Sequence, residues 1–204
     1  MRTLQENPNK IVRELNIENT PRCTLECSMC KRTTYFDLHK TKVIPGKDLT
    51  PDEFRKCLKF FHTITFGGQL SDPIFNKHFI ELLEICKEYD IRPKVLTAAT
   101  GRKEDWYKKA FLACPEARWT FGIDGPPHLS HKYRVNQNGG FLYKMMLLAK
   151  SMGIKTYWQY IIFKYNEEYV EECKKMAEAN GIRMEFLISQ RDVPEHLKPS
   201  GRYG

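Results

Sequence analysis

Cys23, Cys27 and Cys30 stand in the run Pro21-Arg22-Cys23-Thr24-Leu25-Glu26-Cys27-Ser28-Met29-Cys30, with spacing C-x3-C-x2-C. Cysteine thiolates are the usual ligands of iron–sulfur clusters, most of which take four. Three thiolates on one tight loop can hold three corners of a cubic [4Fe–4S] cluster and leave the fourth iron open to a small molecule. Cys57, Cys86, Cys114 and Cys173 are scattered along the chain, and none lies near enough in sequence to complete the set. A zinc site is the competing metal reading: it wants four protein ligands, or three and a water, and His39 is the candidate fourth. A disulfide framework fits poorly, because the chain has seven cysteines, an odd number. Residues 1–20 are polar and charged and lack the apolar stretch of a secretory signal. A reducing, cytoplasmic setting is therefore expected, where clustered cysteines usually bind metal.

The elements that must position these thiols come next. The chain has 204 residues, 41% hydrophobic and 28% charged, which suits one folded domain with a sizeable core. No apolar run approaches the length of a membrane span. The net charge of +8 could favour acidic partners, nucleic acid included. The basic residues are spread over most segments and often stand beside Glu, which favours a lysine-rich solvated surface instead.

Strand and helix patterns alternate, as βα units feeding a parallel sheet do. Strands are expected over 11–17, 63–66, 94–97, 119–123, 155–163 and 183–188. A helix beginning at Thr50-Pro51-Asp52-Glu53 has Thr as N-cap, Pro at the first helical position and Glu three residues after the cap. Further helices are expected over 74–89, 103–113 and 141–152, the last stopped by Gly153, and from an N-cap at Asn166 to Gly181. Their periodicity places Cys86, Cys173, Met145 and Met152 on buried faces. Residues 31–47 read as a loop of mixed basic and aromatic character, a solvated loop or a lid beside the thiols. The expected division is a core domain over 1–190 and a tail over 191–204. Six βα repeats suggest an open, partial barrel, since a closed eight-stranded one needs about 250 residues. Sites of parallel βα folds sit at the C-terminal ends of strands. The cysteine loop, Gly67-Gly68-Gln69 and Asp124-Gly125 all fall there.

C-x3-C-x2-C directly after a predicted strand resembles the signature of the radical S-adenosylmethionine (SAM) superfamily. The resemblance extends from about residue 11 to 190, and implies a partial (β/α)6 TIM barrel. It also implies an oxidoreductase-type enzyme in which SAM binds the open iron of a [4Fe–4S] cluster. One electron then yields a 5′-deoxyadenosyl radical that abstracts hydrogen from substrate. Cys23, Cys27 and Cys30 would be the cluster ligands. Gly67-Gly68-Gln69 is similar to the family's Gly-Gly-Glu motif for the SAM amino group, with Gln69 in place of the acid. Phe121-Gly122-Ile123-Asp124-Gly125-Pro126 through His131 to Arg134 is similar to a stretch of the peptide-modifying members, the SPASM-containing maturases and sulfatase-maturing enzymes, with Gly122 where Ser is usual. Arg134 becomes the candidate for the SAM carboxylate and Asp124 a candidate ribose contact or turn cap. Met29 stands where many members carry an aromatic against adenine, and Gln159 is a polar residue of a strand that could face SAM or substrate.

No catalytic residue is assigned. The resemblance implies an electron donor such as a flavodoxin or ferredoxin, and a peptide or protein substrate. A small metabolite or nucleoside is the alternative substrate class, and a non-catalytic zinc protein the alternative of another kind. No cysteine follows Cys173, so the auxiliary clusters of the SPASM extension are not expected.

Overall fold

In a computed structural model describing residues 14–202, strands and helices alternate around one parallel sheet. The order is β1 (Glu14–Ile17), α1 (Lys31–His39), α2 (Pro51–Cys57), β2 (Thr63–Phe66), α3 (Phe79–Glu88), β3 (Lys94–Thr97), α4 (Glu104–Ala113), β4 (Arg118–Gly122), α5 (Gly139–Ser151), β5 (Lys155–Ile162), α6 (Val170–Ala179) and β6 (Arg183–Ile188). The six strands pair in sequential order, β1-β2-β3-β4-β5-β6, all parallel. Among the described residues β1 and β6 are not paired to each other, so the barrel is partial.

Alternation along each strand decides which side chains meet the helices. Ile64 and Phe66 of β2, Val95 of β3, Trp119 and Phe121 of β4 and Trp158 and Tyr160 of β5 are buried in the core. The centre is aromatic: Trp119 meets Phe111 edge-on at 5.0 Å between ring centroids, and Phe66 meets Phe79 at 5.2 Å. Such pairs add to the area term of burial. Cys86, Cys173 and Met145 are fully buried and Met152 packs against the core, so they serve as packing residues. The alternate strand residues, among them Leu96, Gln159, Ile161 and Leu187, line a cavity at the C-terminal mouth.

Several expectations are corrected. Residues 31–39 form helix α1 and not a loop. Only Arg32 and Phe36 of that helix are buried, and its first turn carries no acid, so it shows neither an apolar stripe nor a cap. The helix expected over 74–89 divides. Asp72 caps a single turn of 3-10 helix at Pro73–Phe75, Asn76 is extended, and α3 starts only at Phe79. Asn166 does not cap forward. Its Oδ1 accepts from Phe163 N–H at 2.7 Å and its Nδ2 donates to Ile161 O at 3.0 Å, so the side chain closes the end of β5. A 3-10 turn at Glu167–Tyr169 then leads into α6. Helix α5 begins at Gly139, capped by Asn138, whose side chain accepts from Phe141 N–H. The part of the first strand expected over 11–13 lies outside the described residues.

The Thr50 start is present as expected. Its Oγ accepts from Glu53 N–H, Glu53 Oε2 accepts from Thr50 N–H at 3.0 Å, and Pro51 opens the helix. Thr50→Ala is expected to lower stability by about 1 kcal/mol in denaturant unfolding, the usual worth of such a cap.

Candidate active site at the barrel mouth

The cysteine loop is stitched to the loops that follow three neighbouring strands. Arg22 O accepts from Asp72 N–H after β2 at 3.0 Å, and Thr24 Oγ1 donates to Thr100 O after β3 at 2.8 Å. Glu26 N–H donates to Val135 O after β4 at 3.2 Å. Helix α1 continues directly from Cys30, and Thr33 Oγ1 donates back to Cys27 O at 2.8 Å. The buried guanidinium of Arg32 donates to Pro21 O at 2.7 Å and Leu70 O at 3.1 Å, clamping the cysteine loop to the Gly-Gly-Gln loop. This helix was not legible in the sequence, yet it holds the third cysteine in place.

Cys23, Cys27 and Cys30 all line one cavity of about 1140 Å³, together with Met29, Gly68, Gln69, Arg134, Gln159 and Arg191. Burial pushes the Cys23 thiol up to about 12, with the Asp72 carboxylate adding to the effect. Burial pushes Cys27 up to about 11, against the opposing pull of Arg134. As free thiols both are protonated at neutral pH, so loading of a metal centre must release those protons. Among the described residues no three His, Cys, Asp or Glu side chains are gathered as ligands of a single ion. Three cysteines in one cavity with room beside them fit a [4Fe–4S] cluster with one open corner. His39, the candidate fourth zinc ligand, stacks on Tyr35 at 4.2 Å between centroids and does not line the cavity.

Beside the cysteine loop, where the Cys30 thiol donates to Gln69 O at 3.3 Å, Gly68 is packed too closely for a side chain. A Cβ there would lie 2.8 Å from both Ser71 O and Ser71 Oγ. Gly67 lies under Leu96 and is absent from the cavity wall, and its place is a close approach to β3. An acid just past β1, Glu18, holds the loop that carries position 69. Its carboxylate accepts from Gln69 N–H, from Leu70 N–H at 2.9 Å and from Ser71 Oγ at 3.1 Å. Sequence reasoning missed Glu18; the only signal is an acid at a strand end. The Gln69 side chain is itself engaged, its Oε1 accepting from Arg191 Nη2 at 3.0 Å. Arg191 Nη1 also donates to Met29 O at 2.6 Å, bridging the two loops from the segment after β6. Arg191 was read only as part of a tail. That segment continues through Val193 and Leu197, which pack on the core, and Leu197 O accepts from Lys164 N–H at 3.0 Å.

Arg134 reaches the cavity wall from the turn after β4, and its Nε lies 2.7 Å from Asp124 Oδ2. Those two atoms have no aligned hydrogen bond, but Arg134 Nη2 donates to Asp124 Oδ1 at 3.4 Å, so the pair is held by charge and by one long hydrogen bond. Asp124 Oδ1 accepts from Ile161 N–H at 2.8 Å. Burial pushes the Asp124 carboxyl up and Arg134 pulls it back; the Asp124 charge in turn holds the guanidinium firmly protonated. Asp124, expected as a ribose contact or a turn cap, is fully enclosed and does not border the cavity: its carboxylate faces Arg134 and β5, and its N–H donates to Ser130 Oγ in the turn. Gly122 makes this arrangement possible. A Cβ there would meet Arg134 Nη2 at 2.8 Å, so a Ser would displace the guanidinium. Gln159 does line the cavity, as alternation along β5 suggests, with Ile161 beside it.

Asp124→Ala leaves a buried guanidinium without its counter-charge. It is expected to cost roughly 3–5 kcal/mol in denaturant unfolding, and an Asp124→Asn/Arg134→Gln double variant to recover part of that loss.

Comparison with known proteins agrees with this architecture. No protein-family model matches the sequence, and no curated protein sequence matches it. Solved structures do match in fold. SuiB of Streptococcus suis, solved with S-adenosylmethionine, superposes with a TM-score of 0.73 at 16% identity, covering 93% of this chain and 43% of SuiB. The structure named anSMEcpe with bound AdoMet gives a TM-score of 0.65 at 16% identity, over 86% of this chain and 50% of that one. Methylornithine synthase (PylB) gives 0.63 at 17% identity, over 92% and 54%. The chain thus spans about half the length of these proteins. Six parallel strands in sequential order, with helices between them and the cysteine loop at the C-terminal mouth, are a partial (β/α)6 TIM barrel, the fold shared with these structures.

Proposed function

We propose that this chain is a radical SAM enzyme, with Cys23, Cys27 and Cys30 holding a [4Fe–4S] cluster whose open iron takes SAM. The observation that carries the reading is that all three cysteines line the mouth cavity together with Gly68 and Gln69, the Cys30 thiol donating to Gln69 O at 3.3 Å. The bound cluster and SAM would supply one-electron cleavage of SAM and hydrogen abstraction from a substrate. The chain's own residues position and shield. Glu18 and Arg32 hold the two loops that face each other, and Gly68 lets backbone approach the ligand. Gln159, Ile161 and Leu187 line the side on which a substrate would lie.

A peptide or protein is the favoured substrate. SuiB has been solved bound to the precursor peptide SuiA, and anSMEcpe with the Cp18Cys peptide. Methylornithine synthase shares the fold, so a small metabolite is the alternative. The electron would come from a low-potential donor such as a flavodoxin or ferredoxin, in a reducing, cytoplasmic setting. Among the described residues no helix is long and apolar enough to cross a membrane.

Anaerobic reconstitution with iron and sulfide, then dithionite and SAM, is expected to release 5′-deoxyadenosine, seen by chromatography. Cys27→Ala should abolish both the cluster absorbance and the product. A wild-type protein that assembles no cluster, or binds zinc tightly with no SAM turnover, would overturn the proposal.

A further inference from the structure

Resting on that reading, we propose that Arg191, and not Arg134, receives the carboxylate of the SAM methionyl group. Three cationic side chains line the mouth cavity: Lys31, Arg134 and Arg191. They differ in how their charge is matched. Arg134 sits against the enclosed Asp124 carboxylate at 2.7 Å, so its charge is already answered. Gly122 leaves it the room to lie there. Arg191 forms no ion pair among the described residues; its partners are two neutral oxygens, Met29 O and Gln69 Oε1. Lys31 is exposed, with no hydrogen bond or ion pair to fix its ammonium among the described residues.

Asp72 and Asp192 also line the cavity, but neither forms an ion pair with Arg191 among the described residues, so Arg191 is the cavity cation that is held in position by neutral oxygens alone. A guanidinium carries five N–H donors, and those two contacts use one on each terminal nitrogen, leaving donors for a ligand oxygen. Its place fits the ligand. Met29 lies between the second and third cysteines, so a carboxylate on Arg191 would sit beside the cluster loop. The ammonium of the same amino-acid group would be left to the oxygens of the Gly-Gly-Gln loop. The neutral amide at position 69 also fits. A Glu there would pair with Arg191 and compete with an incoming carboxylate, whereas Gln69 steadies the guanidinium without neutralising it.

The test compares SAM with decarboxylated SAM, which keeps the sulfonium and the amine and lacks the carboxylate. Dissociation constants of both are measured anaerobically by equilibrium dialysis on cluster-loaded protein. Arg191→Met is expected to weaken SAM binding about 10- to 100-fold, the range of a charge-assisted hydrogen bond, and to leave decarboxylated SAM unchanged. Arg191→Lys should restore part of the preference, and iron and sulfide content should stay at the wild-type level. The Asp124→Asn/Arg134→Gln variant should keep the carboxylate preference. Equal weakening of both ligands by Arg191→Met, or no weakening of SAM, would overturn the proposal and leave Arg191 as a strap between loops. Loss of the preference in the Arg134 variant alone would assign the carboxylate to Arg134. If wild-type protein loads no cluster or binds neither ligand, the radical SAM reading itself falls, and this proposal with it.

Discussion

The enclosed ion pair between Asp124 and Arg134 organises the mouth of the barrel. It joins the end of β4 to β5, because the same carboxylate takes Ile161 N–H, and it sets the turn after β4, because Asp124 N–H donates to Ser130 Oγ at 2.8 Å. Nearby, Gln137 Nε2 donates to Ala98 O and Gly122 O, tying the ends of β3 and β4 together. A buried pair of this kind adds little net stability over an apolar replacement, but either charge left alone is costly. The arrangement therefore admits few alternatives, which is what a site built from loops needs.

A partial barrel has no closing strand pair to set the spacing of its mouth. The loops here are spaced by side chains that bond to backbone. Asp72, fully buried, accepts from Ala98 N–H and Ala99 N–H at 2.8 Å each and from Thr97 Oγ1 at 2.9 Å. Asp48 takes Thr20 Oγ1 at 2.7 Å and Lys77 N–H at 2.9 Å. Glu18 and Arg32 complete the set around the cysteine loop. A carboxylate can accept several N–H groups at once, so one acid holds two or three loop positions that no ladder reaches. The segment after β6 works in the same manner through Arg191.

The wall near that segment is different in character. Leu187 and Ile188 at the end of β6 are 44% and 48% exposed and face the cavity together with Leu96. The mouth thus combines apolar side chains at the end of β6 with charged ones, Arg191 and Asp192, that follow in the chain.

By itself the sequence determined that three cysteines stand together on one loop just after a strand. It also determined the alternation of strands and helices, because side-chain period is a local property that survives without knowledge of neighbours. The strands over 63–66, 94–97 and 183–188 appear where their patterns predict. Cys86 and Cys173 are buried as helical spacing requires. Tertiary structure alone decided the rest. Helix α1 has no apolar stripe and forms because Arg32 and Thr33 find carbonyls on other segments. Asp124 could be read as a ligand contact until its carboxylate was seen turned to Arg134. Gly122 looked like a lost hydroxyl until the guanidinium occupied its space. Arg191 is 122 positions from Gln69 in the chain, and only folding brings them to hydrogen-bond distance. Periodicity reports which side of an element faces the core; it carries no information about which distant charge will stand beside which.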